Sequence, residues 1–314
     1  MQLTLLKFSY NHQSLIVLML FLLPACSNPR QEQNAGPEPE AISFAGKPLY
    51  VNVVEAGVRA KSDSIIAVIK SKAQLSEDDY VEIGKQLVAT FRYKNAVDLY
   101  AEGLIKYPES YKLLRNRGHR YITLRKLDLA IADLIKAEEL IRNEPDVMEF
   151  GADGKPTATV RHQVWYHQGV YYYLNKDYRQ AATAFEKALA TAGDNKNVAG
   201  SCDWLYNSYQ RLGEKQKAMN TIQFINASYL EDKEQPYFRR ILLYNGIITP
   251  EQLIDISKDP LQMSVQDITK LYGLANWYAY NGNPDKANKL YKIILQSNAW
   301  PGFAYAAAEK DVSN

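Results

Sequence analysis

The sequence predicts an all-α solenoid of about five to six helix-turn-helix hairpins with a terminal capping helix. Three observations carry that expectation. From about residue 62 onward almost nothing alternates with period two, so no half-buried sheet is encoded. Apolar residues recur instead at i, i+3, i+4 and i+7, in short runs broken roughly every twelve to sixteen residues. Those runs also repeat one another in a frame of 34 residues, anchored on a series of alanines.

At the N-terminus, Lys7 and a polar run lead into Leu15 to Leu23, nine apolar residues suited to a signal-peptide core and too short to span a bilayer. Leu23-Pro24-Ala25-Cys26 follows and resembles a bacterial lipobox. The resemblance implies cleavage of residues 1–25, acylation of Cys26 and stable anchoring by several acyl chains. Ser27 in place of Asp then implies the outer membrane, with the chain on its periplasmic face. Residues 26–47 are polar, bear Pro and Gly and lack any period, which predicts a flexible tether. With Cys26 acylated, Cys202 is the only thiol left, so no internal disulfide can form. Cys202 is expected to serve as a small core residue.

The folded domain is expected over 48–314. Ser76-Glu77-Asp78-Asp79 reads as a helix cap opening the first full repeat. Counting from Ala96, the frame holds Tyr80, Ile83, Gly84 and Leu87 before it and Tyr100, Gly103 and Pro108 after it. Around Ala130 the same offsets hold Leu114, Gly118, Tyr121, Leu134 and Ala137; around Ala181, Trp165, Gly169, Tyr172, Phe185 and Ala188. A looser copy surrounds Ala218, with Cys202, Leu205, Tyr209 and Ile222, where Tyr206 replaces the small residue. Leu271, Leu274, Ala275, Tyr278, Tyr291 and Ile294 form the last, around Ala287.

Spacing between anchors locates the irregularities. Ala130 and Ala181 are 51 residues apart, and the excess lies in 143–161, a Gly/Pro/Asp-rich insertion loop. Between Ala218 and Ala287 a worn hairpin is expected, made of Tyr237 to Tyr244 and a helix opened by the capping box Thr249-Pro250-Glu251-Gln252. Ser264-Val265-Gln266-Asp267 caps the last repeat, and Phe303 to Asp311 reads as the terminal helix.

Gly or Ala at the eighth position and Ala at the twentieth lie where two antiparallel helices cross, and bulky residues at positions 4, 7, 11 and 24 fill the flanks. Each hairpin leaves a face bare until a neighbour stacks on it. This pattern resembles the tetratricopeptide repeat (TPR), and residues 48–314 as a whole resemble uncharacterised TPR-containing bacterial lipoproteins. The resemblance implies a non-enzymatic scaffold or adaptor holding a protein or peptide partner in its concave groove.

Mapped onto that fold, the basic stretch LRNRGHRYITLRK (114–126) is the first helix of the second repeat, where Lys112, Arg115 and His119 are implied to face the groove. Arg125 and Lys126 fall in the inter-helix turn and are expected to be solvated. The third repeat would add Tyr166, Val170 and Tyr173, and the last Tyr272, Asn276 and Tyr280. Those aromatics suit an extended peptide, or, in a rival reading, a glycan or other small planar ligand. Packing of repeat against repeat is the remaining alternative. The carboxylate clamp of chaperone-binding TPR domains is not matched: Val81 stands at its first Lys and Lys85 at its first Asn, and only Asn116 fits.

Other functions lack their residues. Lys7 is the only charged residue of 1–25, so the mature chain has 36 basic against 35 acidic groups, too balanced to be steered onto nucleic acid. His119, His162 and His167 form no metal-ligand spacing, and no Walker, GxSxG or HExxH motif occurs. Glu144, Asp146, Glu149 and Asp153 cluster in the insertion without calcium-loop spacing. No cofactor, metal or catalytic residue is therefore expected.

Overall fold

The computed structural model describes residues 38–229 and 231–312. The readings that concern the signal segment, Cys26 and residues 26–37 lie outside the described residues. Among the described residues no helix is long and apolar enough to cross a membrane.

The chain is an all-α solenoid. A helix α1 (Ala56–Lys70) leads into six stacked hairpins: α2 (Glu77–Ala89) with α3 (Tyr93–Lys106), α4 (Tyr111–Thr123) with α5 (Leu127–Ile141), and α6 (Val160–Leu174) with α7 (Tyr178–Ala190). Then come α8 (Asn195–Arg211) with α9 (Lys215–Ile222), α10 (Pro236–Tyr244) with the four-residue α11 (Pro250–Leu253), and α12 (Val265–Tyr280) with α13 (Pro284–Ile294). Helix α14 (Phe303–Val312) ends the described chain. The expected worn hairpin is thus α10–α11. Ser76, Thr249 and Ser264 each close a full capping box.

The anchor alanines Ala96, Ala130, Ala181 and Ala218 are completely buried and Ala287 nearly so. At the crossing opposite Ala181, a methyl on Gly169 would fall 2.6 Å from the Phe185 ring. In the fourth repeat Tyr206 can occupy the small-residue position because it stacks on Tyr244 of the next hairpin, with centroids 4.4 Å apart.

One turn joins the helices of every repeat. Five residues before each anchor alanine the backbone is left-handed, at Phe91, Arg125, Lys176, Gly213 and Gly282, with φ between 59° and 77°. The following amide donates back across the turn, as in Lys126 N to Tyr121 O at 2.8 Å and Asn283 N to Tyr278 O at 2.9 Å. This Schellman arrangement satisfies carbonyls at the end of each first helix and reverses the chain.

Two boundaries differ from the sequence reading. The folded body begins before residue 48: β1 (Ala41–Ile42) pairs antiparallel with β2 (Pro48–Leu49), Ala41 and Ser43 are buried, and Lys94 N donates to the Glu40 carboxylate at 2.6 Å. Strands of two residues are too short to display a period, so 38–47 resembled tether. The insertion 143–161 is likewise a β-hairpin, β3 (Met148–Phe150) against β4 (Pro156–Thr159), with α6 already begun at Val160.

Candidate functional site

The concave face is occupied by the chain itself. Helix α14 packs on α12, α13 and α6, its Phe303 ring 5.2 Å from His119 and 5.6 Å from His167. Arg125 donates to Glu309 at 2.9 Å, with both side chains almost fully buried, and to the Trp300 carbonyl. Arg125 is therefore not solvated: it leaves the inter-helix turn to hold α14. Opposite, Arg211 donates to Asp311 at 2.7 Å and to Asn276, and Tyr272 donates to the same Asp311 carboxylate at 2.8 Å.

This filling corrects the expected groove. Val170, Tyr272 and Asn276 are completely buried, and Tyr173 is 3% exposed. The Tyr173 and Tyr272 hydroxyls lie 3.2 Å apart, so the concave faces of the third and sixth repeats touch. Asn276 donates to Asn207 and accepts from Tyr291, while the Tyr280 hydroxyl donates to Asn207 at 3.0 Å. Tyr166, half-buried, donates to the Tyr237 hydroxyl and packs on Phe185. These aromatics serve packing between repeats, which removes the open stripe that a planar ligand would need. The hydroxyls and amides at these positions satisfy one another where side chains of α6, α8 and α12 meet. Cys202 is buried as expected, and burial pushes its thiol up to about 12.

Of the basic stretch, Lys112 is held by Asp78 at 2.7 Å and Glu77 at 3.6 Å. Arg115 and His119 do reach open space, but in a separate open pocket rather than along the concave face. About 300 Å³ lies between α2, α4 and the β3–β4 hairpin, walled by Lys85, Arg115, His119, Arg120 and Glu149. Arg115 is 6% exposed and contacts the Glu149 carboxylate, yet its Nε has no hydrogen-bond partner. Burial lowers the pKa of Arg115 and of Arg120, and burial together with repulsion from Arg115 lowers that of Lys85. The His119 and His167 rings lie 3.9 Å apart, tilted by 32°, and burial beside Arg120 and Arg115 drives both well below the usual imidazole range. Both rings are therefore neutral at pH 7. Sequence reasoning missed Arg120 because its place in the repeat frame is not a groove position, and placed Glu149 only as one of several loop acids.

A second opening follows from the worn hairpin. The second helices of the other repeats run 8 to 15 residues, whereas α11 has four. Between Leu253 and α12 the chain forms no further α-helix, only a 3-10 turn at Pro260–Gln262, so the flank of α12 and α13 that a longer helix would cover stays partly open. An apolar groove of about 560 Å³ results, lined by Ile254, Ile256, Leu274, Tyr278, Leu290 and Ile293. Ile256 is 53% exposed. Lys286, whose ammonium lies 4.9 Å from the Tyr278 ring, Lys289, Glu251 and Asp255 edge it with both signs of charge.

Among known proteins, the tetratricopeptide repeat family model matches residues 162–195, which coincide with α6 and α7. A solved structure, that of BtubC (BKLC) from P. vanneervenii, is similar over 62% of this chain and 77% of that chain, at 18% identity and a TM-score of 0.44. No curated protein matches the chain.

Proposed function

We propose that this chain is a non-enzymatic scaffold that holds a protein partner, tethered by a lipid on Cys26 to the periplasmic face of a bacterial outer membrane. The repeat architecture supports the scaffold reading, since stacked hairpins present long continuous surfaces for other chains. The observation that carries it is the groove beside α11. A solenoid whose fifth hairpin lacks most of its second helix leaves an apolar channel bounded by α12 and α13. An amphipathic helix of the partner, with apolar residues at i, i+3, i+4 and i+7, fits that channel and completes the repeat in trans.

Capture experiments from a cell-envelope extract test this reading. The wild-type chain is expected to retain a defined protein, and Ile256→Asp with Ile293→Asp to lose it while keeping the wild-type circular dichroism. Retention of the same protein by the double variant would place the contact elsewhere. For the anchor, Cys26→Ser is expected to move the chain from the membrane fraction to the soluble periplasm; continued membrane fractionation would sink the lipid tether.

A further inference from the structure

The cavity beneath the β3–β4 hairpin has an imbalance that the fold does not resolve. Lys85, Arg115 and Arg120 bring three positive charges to its wall, against the single carboxylate of Glu149. Glu82 reaches Lys85 only at 3.8 Å from the next turn, and Arg120 has no carboxylate within ion-pair range among the described residues, its guanidinium lying 5.6 Å from the Tyr93 ring. Unbalanced charge in a partly desolvated pocket is costly, and the cost is relieved by a counter-ion of matching charge. Arg115 also keeps an unused Nε donor while more than nine-tenths buried.

Glu149 reaches this pocket by an unusual route. It lies on the insertion that breaks the 34-residue frame, and the hairpin lays its carboxylate, 8% exposed, onto Arg115. Part of the demand for an anion is thus met from within the chain. With Glu149 on Arg115 and Glu82 near Lys85, Arg120 is the one cation of the three left without a carboxylate among the described residues, displacement of Glu149 frees a second, and the 300 Å³ volume exceeds what a bare oxyanion fills.

We propose that this cavity binds a small dianion, a phosphate monoester or a dicarboxylate, which Lys85, Arg115 and Arg120 hold in competition with the Glu149 carboxylate. Arginine forks match both groups through paired N–H donors, and Lys85 supplies a point charge. His119, neutral and at the edge of the cavity, offers one further donor. The site is separate from the groove beside α11, so it stands or falls independently of the partner reading.

Calorimetric titration of the whole mature chain with phenyl phosphate, inorganic phosphate and succinate tests the proposal. Saturable one-to-one binding is expected, and the tighter of the phosphate and succinate arms identifies which dianion the site takes. Arg115→Gln is expected to weaken it at least about tenfold, the scale of a lost charge-assisted hydrogen bond. Because that change also breaks a buried ion pair, Lys85→Gln, at a half-buried position, serves as the second variant and is expected to weaken binding as well. Glu149→Gln is the decisive variant: removing the internal competitor should tighten binding by about tenfold, whereas a merely structural Glu149 would leave the affinity unchanged. Absence of saturable binding in both the wild-type chain and Glu149→Gln, or weaker binding in Glu149→Gln, overturns the proposal.

Discussion

Arg125, in the turn of the second repeat, and Glu309, in the last helix, form an ion pair of 2.9 Å across 184 residues, with side chains 3% and 4% exposed. Removing Arg125 takes a charge-assisted hydrogen bond from the buried Glu309 carboxylate, a loss of about 1.5–3 kcal/mol. Arg125→Gly should therefore destabilise by about that much although glycine suits its left-handed backbone, φ 64°. Urea unfolding followed by circular dichroism checks this; an unchanged midpoint would mean that α14 is held by its apolar contacts alone.

Asp203 and Arg240 are completely buried and meet at 3.0 Å, with the guanidinium 5.5 to 5.7 Å from the Trp204, Tyr237 and Tyr272 rings. Burial pushes the Asp203 carboxyl up to about 7 despite Arg240, so desolvation outweighs their attraction. Arg240→Met alone is expected to cost about 3–5 kcal/mol, and Arg240→Met with Asp203→Leu much less. A double-mutant cycle in denaturant measures the difference, and equal losses in the single and double variants would refute it.

The repeat turns separate backbone strain from packing. A side chain on Gly282 would meet nothing within 4 Å, yet its φ is 77°. Gly282→Ala should cost about 1–2 kcal/mol from backbone conformation alone. Gly169→Ala, at an ordinary backbone position but 2.6 Å from Phe185, should cost at least as much by overpacking. Thermal unfolding of both variants checks this.

Acid should act on the first repeat through Asp79. Hydrogen bonds from Lys72 and from the backbone and hydroxyl of Ser76 hold Asp79 down at about 2. A carboxyl depressed in the folded state contributes stability above its unfolded value near 3.8, and that contribution is lost as pH falls through about 2. Asp79→Asn should flatten this part of the stability profile between about pH 4 and 2, and cost about 1 kcal/mol at pH 7 through the broken capping box. An identical acid limb in the variant would assign the effect to other carboxylates.

The hairpins, their anchors and the three capping boxes were legible because each depends on residues within one repeat. Ala130 must be small wherever the neighbouring repeats lie, and Ser76 finds Asp79 within one turn. The concave face was not legible. Whether Tyr272 meets a ligand or Asp311 depends on how tightly six hairpins coil, and Arg125 finds Glu309 only after that coiling has brought residue 309 back. Arg115 shows the intermediate case: its direction followed from the frame, but the carboxylate that meets it comes from an insertion outside the frame.

The bond from the Trp300 indole to the Tyr50 carbonyl, 2.7 Å, with Asn52 donating to the Asn298 carbonyl nearby, fastens the start of the folded chain to its finish. A linear repeat array has two loose ends and can melt inward from either, one hairpin at a time. Here neither end can peel away without releasing the other, so unfolding should pass through a single steep transition. The same latch requires contacts between the most distant parts of the sequence before the native state is complete, which makes folding slower than the helical content alone suggests.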